Sequence, residues 1–288
     1  MLPNITLTAD QQKEIHQKLK SFFQDTKLDF MEQLKAYYDY QVELVKTHGR
    51  EGLMVFLDTE TQVYVDGINN RSLEIMHYSE VPESCPWHDL HLLPQDEAIS
   101  KVWENFPISF VDSLVKYTLE LFAIFEEGKW YLAYAYQVKD YADNIFYEFL
   151  GGREPNPDAK LPGDLVKAGW KMPADLKALY SVHANFGDLK SALRDDRSHC
   201  ICAAEKLETS LTFLEEHVEE WEADYSFFDL LPFWEDGAGN CQNFYKKEPI
   251  GNSYETVDWD HETKEISGYS RLAKFIDYHD GQKLRGEY

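Results

Sequence analysis

The sequence predicts an α+β protein in two domains, and three observations predict it. Helix-period stretches give way to strand-period stretches in both halves of the chain. The segment "GGREPNPDAKLPGD", Gly151 to Asp164, is dense in glycine and proline and nearly devoid of apolar side chains. The chain has 288 residues, 43% of them hydrophobic, enough for two cores. The expected division is an N-terminal domain over 1–150, a linker over 151–164 and a C-terminal domain over 165–288. The N-terminal domain is expected to combine helices with an antiparallel sheet.

The elements follow in order. Thr8-Ala9-Asp10-Gln11 has the form of a capping box, so a helix should run to about Phe23. A second helical pattern places Phe30, Leu34, Tyr37, Tyr38, Val42 and Val45 along one face, with Gly49 as its stop signal. "GLMVFLD", "TQVYVDG" and "LEIMHYS" then read as strands, the first two joined by a turn over Asp58 to Thr61. A proline-punctuated loop carries "WHDLH". Helical patterns resume near Asp96 and from Phe110 to about Glu126, and Gly128 breaks the chain. "KWYLAYAYQV" and "NIFYEFL" read as strands.

Beyond the linker, Pro173 suits the first turn of a helix with Leu176, Leu179 and Tyr180 on its apolar face. Asn185 and Gly187 are expected to end that helix. A long acidic helix is expected over "AAEKLETSLTFLEEHVEEWEADY". Four strand-like pieces follow, "FDLLPFWEDG", "GNCQNFY", "ETVDWDHE" and "EISGYS", and "SRLAKFIDYH" closes the chain as a helix.

Charge restricts the partners. The chain carries 52 acidic against 28 basic residues, a formal −24, with the excess spread over both halves. It has no basic stripe to meet nucleic acid or an anionic membrane, so neither is expected as a partner. A negative surface either keeps the protein in solution or speeds encounter with a basic partner. Aromatic residues make up 15%, including 18 Tyr and 7 Trp, which is more than core filling needs. The four cysteines are irregularly spaced, the opening residues are polar, and no apolar run is long enough to span a bilayer. A cytoplasmic location with reduced thiols is expected.

Several motifs could carry chemistry. In "EDGAGN", Gly237 and Gly239 allow positive φ, and only Glu235, Asp236 and Asn240 offer oxygens. That favours a hairpin connection over a calcium loop. In "DWDHE", Asp258, Asp260, His261 and Glu262 could share a proton or a cation, but a turn with Trp259 packed inward is favoured. "WHDLH" offers His88, Asp89 and His91 without an announced third or fourth metal ligand. "HCIC", His199 to Cys202, lacks the spacing of a redox pair. No nucleophile elbow, zincin, P-loop or dinucleotide fingerprint occurs, so no catalytic residue, metal or cofactor is predicted.

The C-terminal part has a recognisable order. Trp170 precedes "MPADLKALYSVHANFG"; "LPFWEDGAGNCQNFY" follows, and "VDWDHETKEI" leads into the closing helix. In that order and spacing, roughly residues 161–280 resemble the SUKH superfamily, which contains fungal Smi/Knr-type cell-wall regulators and many bacterial immunity proteins. The chain departs from the family pattern at Asn185-Phe186-Gly187, where Asn-Gly-Gly is usual, and in a longer acidic insertion around 195–222. The resemblance implies a mixed sheet flanked by helices in this half. It also implies a binding role, with bacterial members acting as antidotes that occlude a cognate toxin.

The expectation is therefore an immunity (antitoxin) protein, not an enzyme, that neutralises a cognate, basic protein toxin. The expected contact residues are the densest acidic run, Glu215, Glu216, Glu219, Glu220, Glu222 and Asp224, with Trp221 and Tyr225 as anchors. Trp234, Glu235 and Asp236 extend the surface. Two other classes stay open: a regulatory interaction scaffold of the Smi/Knr type, and an enzyme using the His/Asp groups of "WDHE" or "WHDLH".

Overall fold

The computed structural model describes residues 2, 5–22, 29–65, 73–106, 108–140, 143–209, 229–260 and 266–286. The protein is α+β and forms two compact units. The first comprises Met1–Val102, Val111–Gly151 and Asp280–Tyr288; the second comprises Trp103–Phe110 and Gly152–His279.

In the first unit, α1 (Ala9–Ser21) opens on the expected capping box, with Thr8 and Gln11 satisfying each other's backbone N–H groups. Its Ile15 and Leu19 are buried. Helix α2 spans Phe30–Val65 and is interrupted at Gly49, where φ 56 and ψ −128 bend the axis. The strands expected over "GLMVFLD" and in "TQVYVDG" up to Val65, and the turn over Asp58 to Thr61, are therefore helix instead. The reason is in the burial pattern: Leu53, Phe56 and Leu57 recur at helical spacing and are all buried. Thr59 and Thr61 donate their hydroxyls to the carbonyls of Val55 (2.7 Å) and Leu57 (2.8 Å), four residues back.

The sheet of this unit runs β1 (Leu73–His77), β2 (Thr118–Glu126), β3 (Lys129–Lys139) and β4 (Ile145–Arg153) in neighbour order, β4 entering the second unit at Gly152. Strand β1 pairs antiparallel with β2, and β2 with β3. The helix expected from Phe110 to Glu126 stops early: α4 (Ile108–Tyr117) gives way to β2 at Thr118. Leu121 to Ile124 are fully buried, so both faces of β2 are apolar and the alternation that marks a strand is erased. Its end is set by a two-residue hairpin at Glu127 (φ 46) and Gly128 (φ 81), the paired positive φ of a primed turn. Helix α2 packs on β4, with Tyr38 stacked on Phe146 at 4.4 Å and Phe56 against Phe149 at 5.7 Å. Helix α3 (Gln95–Val102) lies where the pattern near Asp96 places it, and α9 (Gln282–Arg285) ties back through Arg285 Nη1 to Ser113 Oγ at 3.0 Å.

In the second unit, α5 (Gly163–Lys167) and α6 (Ala174–Tyr180) precede β5 (Phe186–Asp188). Helix α6 starts after Pro173 and buries Leu176, Leu179 and Tyr180 as expected, but it ends at Tyr180; Phe186 to Asp188 form a strand instead of its tail. Strand β5 pairs antiparallel with β6 (Cys200–Ile201), and α7 (Leu189–Arg194) lies between them in the chain. Of the expected acidic helix, Ala204–Lys206 is one 3-10 turn, and residues 210–228 lie outside the described residues.

The main sheet of this unit has the order β10 (Ile266–Ser270), β9 (Ser253–Trp259), β8 (Cys241–Ile250), β7 (Leu230–Glu235). Its pairings are antiparallel; parallel character enters through a bridge between Ser198 and Glu235. Helix α8 (Leu272–Ile276) closes the sequence of elements expected for "SRLAKFIDYH" and continues as a π-turn to Gly281. Phe233 on β7 meets Phe244 on β8 at 4.7 Å and Phe275 on α8 at 5.6 Å, so sheet and closing helix share one aromatic core.

Candidate functional site

The three expected contact residues that are described, Trp234, Glu235 and Asp236, stand at the end of β7, and each does something different. Trp234 is turned inward against Phe275 (5.2 Å) and His279 (4.6 Å). Asp236 is committed to its own turn: Oδ1 accepts from the N–H of Ala238 (2.7 Å) and Asn240 (3.1 Å), and Oδ2 from Asn240 Nδ2 (2.7 Å). With Gly237 at φ 74 and Gly239 at φ 103, this is the hairpin connection expected of "EDGAGN". Glu235 faces a concavity of about 370 Å³.

That concavity is built by the segment after α7. Asp188 caps α7, accepting from the N–H of Ser191 at 3.1 Å, and Asp195 ends it in the left-handed conformation, φ 55 and ψ 42. Leaving the helix in this way points Asp195, Asp196 and Arg197 toward β7. There the N–H of His199 donates to the carbonyl of Glu235 (2.7 Å) and the N–H of Glu235 to the carbonyl of Arg197 (3.2 Å). The 3-10 turn then brings up Glu205, and Glu208 follows. Five carboxylates line the space (Asp195, Asp196, Glu205, Glu208, Glu235) against the cations Arg197 and Lys206.

Three arginines hold the carboxylates in place. Arg153, 8% exposed, reaches Asp195 Oδ2 with Nη1 (3.4 Å) and Glu205 Oε1 with Nη2 (2.6 Å). Arg197 Nη2 pairs with Glu208 Oε1, and at the rim Arg194 Nη2 lies 3.5 Å from Asp196 Oδ2. A carboxylate accepts about four hydrogen bonds, more than one arginine supplies. Burial pushes the Glu235 carboxyl above its usual range; Arg197 opposes the shift, and Asp196 and Asp236 add to it. A cation beside Glu235 would oppose that shift.

The remaining expected contacts, Glu215, Glu216, Glu219, Glu220, Trp221, Glu222, Asp224 and Tyr225, lie outside the described residues. Of "DWDHE", Trp259 is buried as expected, and burial raises the Asp258 carboxyl; His261 and Glu262 lie outside the described residues. In "WHDLH", His88 Nδ1 meets the carbonyl of Val81 at 3.2 Å and the rings of His88 and His91 stack at 4.4 Å. Among the described residues no group of three or more His, Cys, Asp or Glu is arranged to hold a metal ion. All four cysteines are buried thiols, and burial pushes Cys202 and Cys241 up to about 12. No described helix is long and apolar enough to cross a membrane.

Sequence reasoning missed Arg153, Asp195, Asp196, Arg197, Glu205 and Glu208. The available signal was "LRDDR", two arginines flanking two aspartates in a strongly acidic chain. Comparisons with protein-family models, with curated proteins and with solved structures give no match.

Proposed function

We propose that this protein works by recognising another protein, as an antitoxin of the immunity type. Its carboxylate-lined concavity would receive lysine or arginine side chains of a basic toxin. The observation that carries the reading is the placement of Asp195, Asp196, Glu205, Glu208 and Glu235 around one opening, within the half of the chain whose motif order resembles the SUKH superfamily. Physical chemistry supports it in two ways. Arg153 and Arg197 pre-orient the acceptors, so little side-chain freedom is lost when a cation docks. The chain's formal −24 attracts a basic partner from a distance and raises the rate of encounter. A toxin that binds a polyanionic substrate carries the complementary basic cleft, and covering that cleft stops it without chemistry on this side.

The test is co-expression of the full chain with any toxin-like reading frame found adjacent to its gene, reading both co-purification and cell survival. Protection together with a stable complex is the expected result. Reversing the exposed Glu205 and the half-buried Glu208 (Glu205→Lys with Glu208→Lys) should abolish both in a variant that remains folded. A cell that survives without complex formation, or a reversed variant that protects as well as the original, would overturn the reading.

A further inference from the structure

We infer that Ser79, in the first unit, is an activated nucleophile that accepts acyl groups from small activated esters, with His77 as its base and Glu120 behind the base. The inference is independent of the concavity and of any protein partner. It starts from a short contact: Ser79 Oγ lies 2.5 Å from His77 Nδ1. The backbone N–H of Ser79 also points at that nitrogen, at 3.3 Å. An N–H can only donate, so Nδ1 is an acceptor and the ring proton sits on Nε2. The serine hydroxyl must then donate its proton to a neutral imidazole. That is the arrangement in which a hydroxyl becomes nucleophilic.

The far side of the ring is equally defined. His77 Nε2 stands 3.3 Å from Glu120 Oε2, an ion-pair distance rather than an aligned hydrogen bond. Glu120 is 1% exposed. It is held by Arg50 Nε on Oε2 (3.2 Å) and by the N–H of Leu2 on Oε1 (3.3 Å). An imidazolium formed at His77 would therefore meet a fixed, buried carboxylate on the side opposite the serine, the role the third member has in Ser-His-acid triads. The ring nitrogens are used in the reverse of the usual order, the serine on Nδ1 and the acid on Nε2. Tyr78 (4.6 Å) and Phe122 (6.4 Å) flank the imidazole and fix its plane. His77 is buried, while Ser79 is half-buried just past the end of strand β1, so base and acid are more withdrawn from solvent than the residue that carries the nucleophile.

In the step this permits, Ser79 Oγ bonds to the acyl carbon of the ester and its proton passes to His77 Nδ1. The bond from that carbon to the leaving phenolate oxygen breaks, and His77 then releases the proton to water. The product is acyl-Ser79, the free phenolate and neutral His77.

The experiment treats the full chain with 4-nitrophenyl acetate and follows nitrophenolate release, with acetylation mapped by peptide mass spectrometry. One acetyl group on Ser79 is expected, formed about 100-fold faster than on the exposed Ser21 and Ser181 of the same sample. Ser79→Ala, which removes only a half-buried hydroxyl, should lose that acetyl group and keep its melting temperature. His77→Gln should slow it about 100-fold. Acetylation of Ser79 no faster than of Ser21 and Ser181 overturns the inference without need of any variant, as does a folded His77→Gln protein that reacts at the original rate.

Discussion

Asn185 Oδ1 accepts the backbone N–H of Arg153 at 2.8 Å, and so fixes the main chain from which the Arg153 guanidinium reaches Asp195 and Glu205. The other end of the carboxamide donates to the carbonyl of Ala192 (2.9 Å) and to Asp195 Oδ1 (3.2 Å). One fully buried side chain thus sets both the strand that carries the arginine and the helix end that carries its partner. Asn185→Ala would take its acceptor from the N–H of Arg153 and its donor from Asp195 Oδ1, and would leave the carbonyl of Ala192 only the N–H of Asp195. A loss of about 2–4 kcal/mol is expected, read by urea unfolding. Asn185→Asp keeps the acceptor for Arg153 but sets a second carboxylate against Asp195, and should not restore stability.

Gly152 shows how closely this backbone is drawn together. A Cβ there would lie 2.2 Å from the carbonyl oxygen of Asn185 and 2.7 Å from His183 Cγ. Backbone on one side and a buried ring on the other cannot give way cheaply. Gly152→Ala should cost about 3 kcal/mol or more. Gly251→Ala is the control: nothing lies within 4 Å, so only its φ of +59 is strained, at about 1 kcal/mol. Equal losses for the two variants in thermal unfolding would contradict the packing described.

Most strands could be read from the sequence, because turn residues bracket them. Gly128 and the Gly237–Gly239 pair mark hairpins, and the aromatic runs that adjoin them are the strands β3, β7 and β8. Two elements could not be read, for different reasons. In "GLMVFLD" consecutive apolar residues fit either period, and burial alone reveals the helix. In β2 both faces are buried, so alternation has nothing to report. For the site, Glu235 was legible because it abuts a turn signal. Arg153, Asp195 and Glu205 were not. They come together through the left-handed exit at Asp195 and the carboxamide of Asn185, and no local pattern encodes that meeting.

Gly49 has the form of a helix stop, and the backbone does leave the helical conformation there: two helical stretches meet across a kink. At φ 56 and ψ −128 it occupies a region closed to side-chain-bearing residues, yet α2 resumes beyond it. The bend brings the chain back so tightly that a Cβ on Gly52 would stand 2.6 Å from the carbonyl oxygen of Leu44. Gly49→Ala should therefore cost about 1–3 kcal/mol, and Gly52→Ala at least as much. Both losses should appear in the unfolding midpoint.

The proposed docking of a basic partner has a kinetic signature. Steering by long-range charge acts on encounter, whereas contacts made after docking act on escape. Raising salt from about 0.05 to 0.5 M shortens the screening length to a few ångströms. The association rate should fall by ten-fold or more while dissociation changes little, as measured by stopped flow. An association rate indifferent to salt would remove the acidic surface from the mechanism.

His183 should leave its mark on stability below neutral pH. It is fully buried, with its ring stacked on Phe186 at 5.4 Å and tilted against Trp103 at 5.4 Å. Burial lowers its pKa from 6.5 to about 3, with hydrogen bonds to the backbone of Arg153 and Gly152 opposing the shift. The folded protein therefore keeps His183 neutral while the unfolded chain takes up a proton below about pH 6.5. Protonation then favours the unfolded state, so stability is lost as pH falls from 6.5 toward 3, by about 2 kcal/mol at pH 5. Glu235 and Asp258, whose carboxyls burial raises, work in the opposite sense, since the folded state binds their protons more tightly and gains stability on acidification. The wild-type curve mixes the two signs, and subtraction separates them. His183→Gln removes only the imidazole contribution, so the stability difference between wild type and variant should shrink from pH 7 to pH 5 by that same amount. A difference that stays constant across that range would mean that the folded protein protonates His183 as readily as the unfolded chain does.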